Sequence, residues 1–582
     1  MADLSVYDSK PWQSAYGSAI DAQLPTPRYQ NLAHMVHSAC ERYAKKTAFT
    51  AVVPNGMNGS LSYAQLGELS DAFAVYLRDV CGLKAGDRVA VQLPNGLAYP
   101  VVAFGVFKAG CVLVNTNPLY TPSEMAHQFK DSGARVLVIV DMFADKLAQV
   151  IPKTSIERVV LAGVSEMFPA VPNLIVRGVQ KVWSKVLPPI PQLPQTIERL
   201  SEAITSGKAK NAPGKVQAWW KAVAASEVVA LQYTGGTTGV SKGAMLTHAN
   251  MLANLDQVLA MGKSHMASEE CVLTALPLYH IFAFTANLLC FVDIGGRNIL
   301  IPSPRPVQNL QRAIENYPIT WITGVNTLFN GLMNEEWFTA FPPKHLKAAI
   351  AGGTALHHAV AERWQKITGT RIAEGFGLTE CSPCVSFNPL SGTAKADSIG
   401  IPVPGTEVRL VDDAGVPVAL GEPGELIVRG PQNMLGYWLR PEETVAIIKD
   451  GWLYTGDVAV MDSQGYFKIV DRKKDLVLVS GFNVYPNEIE DALAKMDAIM
   501  EAAVVGVPDA KSGEAVRAYV VKNPDFLGEL SKEAVLAHCK TLLTDYKIPK
   551  SVIFRDELPK SPVGKILRKD LKAEVKAEFN KK

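Results

Sequence analysis

Residues suited to holding a polyphosphate are concentrated in Tyr233-Thr-Gly-Gly-Thr-Thr-Gly-Val-Ser-Lys-Gly243. Gly235, Gly236 and Gly239 let the backbone approach an anion and turn N–H groups toward it, while Thr234, Thr237, Thr238 and Ser241 add hydroxyl donors. Lys242 brings a compensating charge. The spacing matches neither the Gly-x-x-x-x-Gly-Lys-Ser/Thr loop nor the Gly-x-Gly-x-x-Gly fingerprint. A flexible Ser/Thr/Gly turn is the bland alternative, weakened by the apolar strand expected before the loop and the helix expected over Thr247 to Met261.

Four further segments carry weaker signals. In Gly375-Phe-Gly-Leu-Thr-Glu380, preceded by Ala351-Gly-Gly-Thr354, Glu380 offers magnesium a carboxylate and Thr379 offers a phosphate a hydroxyl, because magnesium in nucleotide sites takes one or two carboxylates plus phosphate oxygens. Helix capping explains the same residues taken alone. Asp457, closing Gly451-Trp-Leu-Tyr-Thr-Gly-Asp457, is either a turn residue or an acceptor for ribose hydroxyls. Asp471-Arg-Lys-Lys-Asp-Leu476, followed by Ser480-Gly-Phe-Asn-Val-Tyr-Pro486, forms a charged joint between two regions, and Lys565 sits on a Gly-Lys turn ahead of the last helix. Cys381-Ser-Pro-Cys384 lacks a second pair or a nearby histidine and is a poor zinc site.

The elements that must position these residues read as α/β. Short β-branched runs at Arg88–Leu93, Cys111–Val114 and Arg135–Val140 alternate with helical patterns, and the alternation returns from Val228 to about Asn388. Two α/β subdomains with parallel sheets follow. After Gly400 the runs Glu407–Val411, Gly424–Arg429 and Gly465–Val470 read as antiparallel strands of a small β subdomain, and beyond Asp471 a compact α+β domain is expected. Residues 164–225, Pro-rich at Leu187–Pro194, read as a linker. Within it Val179, Val182, Trp183, Val186 and Leu187 share one helical face and Arg177, Lys181 and Lys185 another. Such a helix either packs on its own domain or lies on a membrane surface.

Composition limits the function classes. The chain has 582 residues, 48% hydrophobic and 20% charged, the usage of an ordinary multi-domain globular protein. Lys and Arg total 58 against 56 Asp and Glu, a net charge of +2, so no global field draws it to nucleic acid. Its 8 cysteines form no disulfide framework and suit a reducing, cytoplasmic setting. The amino terminus lacks the pattern of a signal peptide, and the apolar stretch Ile281–Ile294 is too short and too interrupted to span a bilayer.

The order and wording of these segments, from about Leu61 to Asp570, resemble the adenylate-forming superfamily of acyl-CoA synthetases, luciferases and peptide-synthetase adenylation domains. Leu276-Pro-Leu-Tyr-His-Ile-Phe-Ala-Phe284 and 451–475 look most like bacterial long-chain fatty acid CoA ligases of β-oxidation. The resemblance implies an adenylate-forming fold: an N-terminal domain over 1–470, a hinge at 471–476 and a smaller mobile C-terminal domain over 477–582.

It also implies substrates and roles. ATP, Mg²⁺, coenzyme A and a long-chain fatty acid would be bound, giving acyl-CoA, AMP and pyrophosphate through an acyl-AMP; medium-chain or aromatic acids, or a carrier protein as acceptor, are the alternatives. The loop Thr234 to Lys242 would hold the β and γ phosphates, Thr379 the α-phosphate and Glu380 the metal. Gly352, Gly353, Gly375, Phe376 and Gly377 would border the adenine and the adenylate, with Phe376 where many relatives have Tyr. Asp457 would grip the ribose, assisted by Arg472. Lys474 would be the hinge, and Lys565 would contact the carboxylate and α-phosphate. His280, Phe284 and Val325 would line the acyl channel, and Ser480, Gly481 and Phe482 would reach the site for the thioester step. Homodimers and contact with the inner membrane are compatible with the resemblance, but no sequence feature demands either.

Overall fold

The β-branched runs pair into two large sheets, as their alternation with helices predicts. We describe a computed structural model over residues 5–579 except 17–19, 185, 235–240, 264, 268, 391–392, 481, 510 and 562–563. Gly235, Gly236, Thr237, Thr238, Gly239 and Gly481 therefore lie outside the described residues. The first sheet has seven strands, ordered Thr196–Arg199, Arg158–Ala162, Val136–Val140, Arg88–Gln92, Val112–Asn115, Val228–Thr234, Lys242–Thr247, parallel but for the last pair. The second has nine, with a parallel core running Ile372–Gly377, Ala348–Gly352, Trp321–Gly324, Cys271–Thr274, Arg297–Leu300, Thr47–Val52. One helix, Ala98–Lys108, is buried at every residue, the pattern of an element packed on both sides.

Two antiparallel sheets follow. Glu407–Val411, Gly424–Arg429, Trp452–Met461 and Phe467–Arg472 belong to a five-stranded sheet. A last five-stranded sheet is built on the long pair Ile499–Asp509 and Gly513–Lys522, with Ser551–Arg555 parallel at its side.

Three expectations are corrected. Residues 164–225 are not a linker, because Thr196–Arg199 adds an edge strand to the first sheet and two helices, Leu200–Lys210 and Lys215–Lys221, pack beside it. At Gly207 an added Cβ would lie 1.9 Å from the Ala72 carbonyl oxygen, so only glycine permits that close crossing. Second, the helix expected after the polyphosphate-type segment is present as His248–Gly262, but a strand that was not expected, Lys242–Thr247, comes before it and pairs antiparallel with Val228–Thr234. The helix starts where Thr247 caps it, its side chain accepting from Asn250 N at 3.0 Å. Third, Asp457 is not on a turn but inside the strand Trp452–Met461.

Candidate active site

The carboxyl ends of the strands Val228–Thr234, Ala348–Gly352 and Ile372–Gly377 open into one crevice of about 2380 Å³, the usual ligand position for a parallel sheet. Thr234, Ser241, Lys242, Gly352, Gly353, Gly375, Phe376, Gly377, Thr379, Glu380, Asp457, Arg472, Lys474, Lys565 and His280 all line it. The described parts of five sequence-distant segments therefore converge.

Gly377 sits where the chain must pass another backbone: a Cβ would meet the Pro383 carbonyl at 2.2 Å. The turn this allows carries Thr379 and Glu380. Glu380 Oε1 accepts from the Tyr437 hydroxyl at 2.6 Å, and its backbone carbonyl accepts from Met434 N at 2.8 Å. Its second carboxylate oxygen accepts no hydrogen bond from any described residue. One fixed carboxylate with a free oxygen beside a phosphate-type loop fits magnesium, which takes few protein ligands and keeps phosphate oxygens and water. Lys242 pairs with Glu443 and lies 5.0 Å from the Tyr437 ring centroid.

Asp457 and Arg472 face each other across adjacent strands, joined by Arg472 Nε to Asp457 Oδ1 at 2.9 Å. Asp457 Oδ2 is buried without a partner. A buried carboxylate oxygen left unpaired is costly, and this one lines the crevice, where a ligand hydroxyl would satisfy it. Glu374, one residue before Gly375, is pushed up to about 8 by burial although Leu356 N donates to it. It carries a proton near neutral pH.

Lys565 enters from the C-terminal region. Burial first, then Arg472, lower it to about 8, with Asp457 acting the other way. Its loop is held because Gly564 lies against Thr327, Arg305 and Val325. The joint below is tied by Lys572, whose ammonium donates to the Lys474 carbonyl at 2.9 Å and to Asp475 at 2.6 Å, and His357 and Asp491 approach at 3.3 Å from opposite sides of the crevice.

His280 caps the helical segment after it, Nδ1 accepting from Phe282 N at 3.3 Å. Burial and the Lys565 charge lower its pKa to about 4, so the ring is neutral and its proton lies on Nε2. The expected wall residue Phe284 is corrected. Phe284 N donates to the His280 carbonyl at 2.9 Å, as in a regular helix, and the Phe284 ring stands edge-to-face on Phe107 at 6.1 Å inside the core. Phe282, Thr285 and Ala286 line the cavity in its place. Val325 likewise is packed beneath the Gly564 turn rather than on the wall. Ser480 and Phe482 are exposed on a hairpin away from the crevice, Phe482 stacked on Tyr546 at 4.9 Å. Cys381 is buried and Cys384 is pushed up to about 12 by burial, so neither thiol is poised as a thiolate.

The family model of AMP-binding enzymes matches residues 36–438, and that of the AMP-binding enzyme C-terminal domain matches 488–565. The chain belongs to the AMP-binding enzyme family. Among its AMP-binding relatives, the long-chain-fatty-acid–CoA ligase of Salmonella typhimurium is 48% identical over 98% of this chain and 100% of its own. That of Haemophilus influenzae is 41% identical over 97% of this chain and 98% of its own. The ATP-bound structure of MatB from Rhodopseudomonas palustris superposes with a TM-score of 0.76 at 27% identity, covering 94% of this chain and 99% of that one. Of the residues lining the crevice, those from Asn115 to Tyr437 fall within the first matched range. Sequence reading missed Tyr437, Glu374 and Thr354, whose buried hydroxyl is unpaired. Glu374 adjoins one recognised motif and Thr354 closes another, Ala351-Gly-Gly-Thr354, whereas Tyr437 carried no signal.

Proposed function

We propose that this protein activates long-chain fatty acids with ATP and transfers the acyl group to coenzyme A, releasing AMP and pyrophosphate. The observation that carries the reading is the convergence of Glu380, Asp457, Arg472 and Lys565 on one crevice that continues into an apolar branch past Phe282, Thr285 and Ala286. Its near-full-length likeness to long-chain-fatty-acid–CoA ligases supports the same substrates.

The fatty carboxylate attacks the α-phosphorus, the bond to pyrophosphate breaks, and the thiolate of coenzyme A then attacks the acyl carbonyl as AMP leaves. No covalent enzyme intermediate is needed. The chain supplies position and charge: the polyphosphate-type segment and Lys242 hold the outer phosphates, Thr379 the α-phosphate, Asp457 Oδ2 the ribose, and Lys565 the attacking carboxylate. Magnesium, when held by Glu380, offsets phosphate charge. With His280 neutral, its Nε2–H is a donor at the mouth of the acyl branch. The test is AMP release from ATP with palmitate, with and without coenzyme A, beside benzoate. CoA-dependent release strongest with palmitate supports the reading, whereas benzoate preference or CoA independence rejects it.

Tyr437→Phe removes the hydrogen bond that orients Glu380. At about 1.5 kcal/mol for a bond to a charged group, the magnesium concentration giving half-maximal rate should rise roughly tenfold with kcat changed little. A titration that leaves this midpoint unmoved makes Tyr437 a packing residue.

Contact with a lipid surface belongs to the same proposal. Only Val176 is buried in the helix Ala170–Gly178, while Val171, Leu174 and Val182 are 68%, 75% and 72% exposed. The helix is anchored on its own domain through Val176 and Arg177 and leaves an apolar outer face exposed. Lys181 flanks that face, whereas Arg177 is engaged with Asp141 at 3.2 Å. An exposed apolar stripe beside a cation suits an anionic bilayer, the phase where the substrate partitions. Leu174→Glu with Val182→Glu should weaken sedimentation with phosphatidylglycerol vesicles at least ~tenfold; unchanged sedimentation removes this surface from the account.

A further inference from the structure

The apolar branch of the crevice has an identifiable floor. It runs between the helix His248–Gly262 and the segment Ile281–Asp293, past Val258, and ends among Met261, Gly262, Met266, Phe291 and Trp321. Strand register gives its depth. Trp321 pairs with Ala348, four residues before Gly352, where the strand meets the crevice; at ~3.3 Å per residue this is about 13 Å. An extended alkyl chain advances roughly 1.3 Å per carbon from bonds of about 1.5 Å. About ten methylenes therefore reach the level of Trp321, and the remaining carbons of a palmitoyl or stearoyl chain must find room beyond it.

The residues there differ in freedom. Trp321 is fixed, its Nε1 donating to Glu270 at 3.0 Å and its ring standing edge-to-face to Phe291 at 5.9 Å. Glu270 is itself anchored by Lys347 at 2.6 Å. Met266 is half-buried on the turn after the helix, its backbone N donating to Gly262 O at 3.0 Å, and an unbranched thioether chain readily changes rotamer. Gly262 leaves the space it uses: a Cβ there would lie 2.8 Å from Met266 Sδ and 4.0 Å from Trp321 Cη2.

We infer that Met266, seated over Gly262, is the adjustable end stop of the acyl tunnel and sets the longest chain accepted. The inference rests on the fatty-acid reading above. Shorter acids end before Trp321 and never meet Met266. Longer ones displace its side chain toward the surface.

The experiment is kcat/KM for octanoate, decanoate, laurate, myristate, palmitate and stearate with the unmodified protein, Met266→Ala, Met266→Trp and Gly262→Val. A buried methylene is worth about fourfold in affinity. Excluding three or more should therefore cost Met266→Trp and Gly262→Val roughly 50-fold or more on palmitate, with octanoate and decanoate within about twofold. Met266→Ala should shift the optimum toward stearate. Retained decanoate turnover also reports that each variant is folded. Profiles that fall equally at all lengths, or do not change, overturn the inference while leaving the ligase reading intact. Benzoate turnover without fatty-acid turnover by the unmodified protein overturns both.

Discussion

Lys565→Ala should lower acyl-AMP formation by about 10²- to 10³-fold, the loss typical of removing one preorganised charge from a developing anion, and leave thioester formation from supplied acyl-AMP within roughly twofold. Burial first, then repulsion from Arg472, Arg568 and Lys474, lowers its pKa to about 8, with Asp457 opposing in part. Anionic substrates relieve that arrangement further. The charge is therefore needed most when carboxylate and triphosphate are both present, and less once pyrophosphate has left and the carboxylate has become a neutral acyl group. A pH dependence follows with a defined sign. The charged form of a lysine is the protonated one, and lowering its pKa brings the loss of that charge down to about 8, so kcat/KM for adenylation should decline as pH rises through about 8. The limb in kcat should lie higher, because bound phosphates favour the cation. Lys565→Arg keeps its charge and should abolish the limb while remaining slower than the unmodified protein. Separate measurement of the two half-reactions checks the assignment, and equal losses in both would remove it.

The parts of the site legible in the sequence were those in which glycine or charge is dictated by local geometry. Gly377 must pass the Pro383 backbone, so the motif around it is readable without a structure. The alternation of apolar strands gave the two large sheets for the same reason: parallel strands buried on both faces carry continuous β-branched runs. What escaped depends on distant contacts. Tyr437 meets Glu380 across 57 positions, and no local pattern marks it. Thr196–Arg199 is a short, polar edge strand, while Leu200–Lys210 buries Leu200, Ala203, Ile204 and Gly207 at helical spacing, of which the two small residues give little apolar signal. The N-terminal arm is similar: Trp12 and Tyr16 are buried, with the Tyr16 hydroxyl donating to the Pro402 carbonyl at 2.7 Å. Two aromatics in a short polar segment do not reveal which far surface they cover. Phe284 failed for the same reason. Its ring packs on Phe107, a residue 177 positions away that no local period marks as its neighbour.

Lys474→Pro is expected to have the opposite signature to Lys565→Ala, with adenylation kept within a few-fold and thioester formation from acyl-AMP lost by ~100-fold or more. The conformation described here has Lys565 in the crevice and the 480–482 hairpin outside it. Both cannot serve the same acyl group without reorientation of the C-terminal region. The joint between Arg472, the last residue of one strand, and Val477, the first of the next, is short, so the rotation must be absorbed by a few backbone angles there. Proline fixes φ near −65° and also restricts the residue before it. The joint is latched in the present orientation by Lys572, which binds the Lys474 carbonyl and the Asp475 carboxylate, and by Arg568 beside Asp475 at 3.7 Å. Those contacts use the carbonyl of residue 474 and the side chain of 475, both of which survive the substitution. Proline should therefore spare these latch contacts while restricting the backbone angles through which the region departs. Lys474→Ala, which removes the side chain but not the rotation, should retain both steps. Full CoA-dependent turnover by Lys474→Pro would move the hinge elsewhere in 471–476, and parallel loss of both steps would make the position structural.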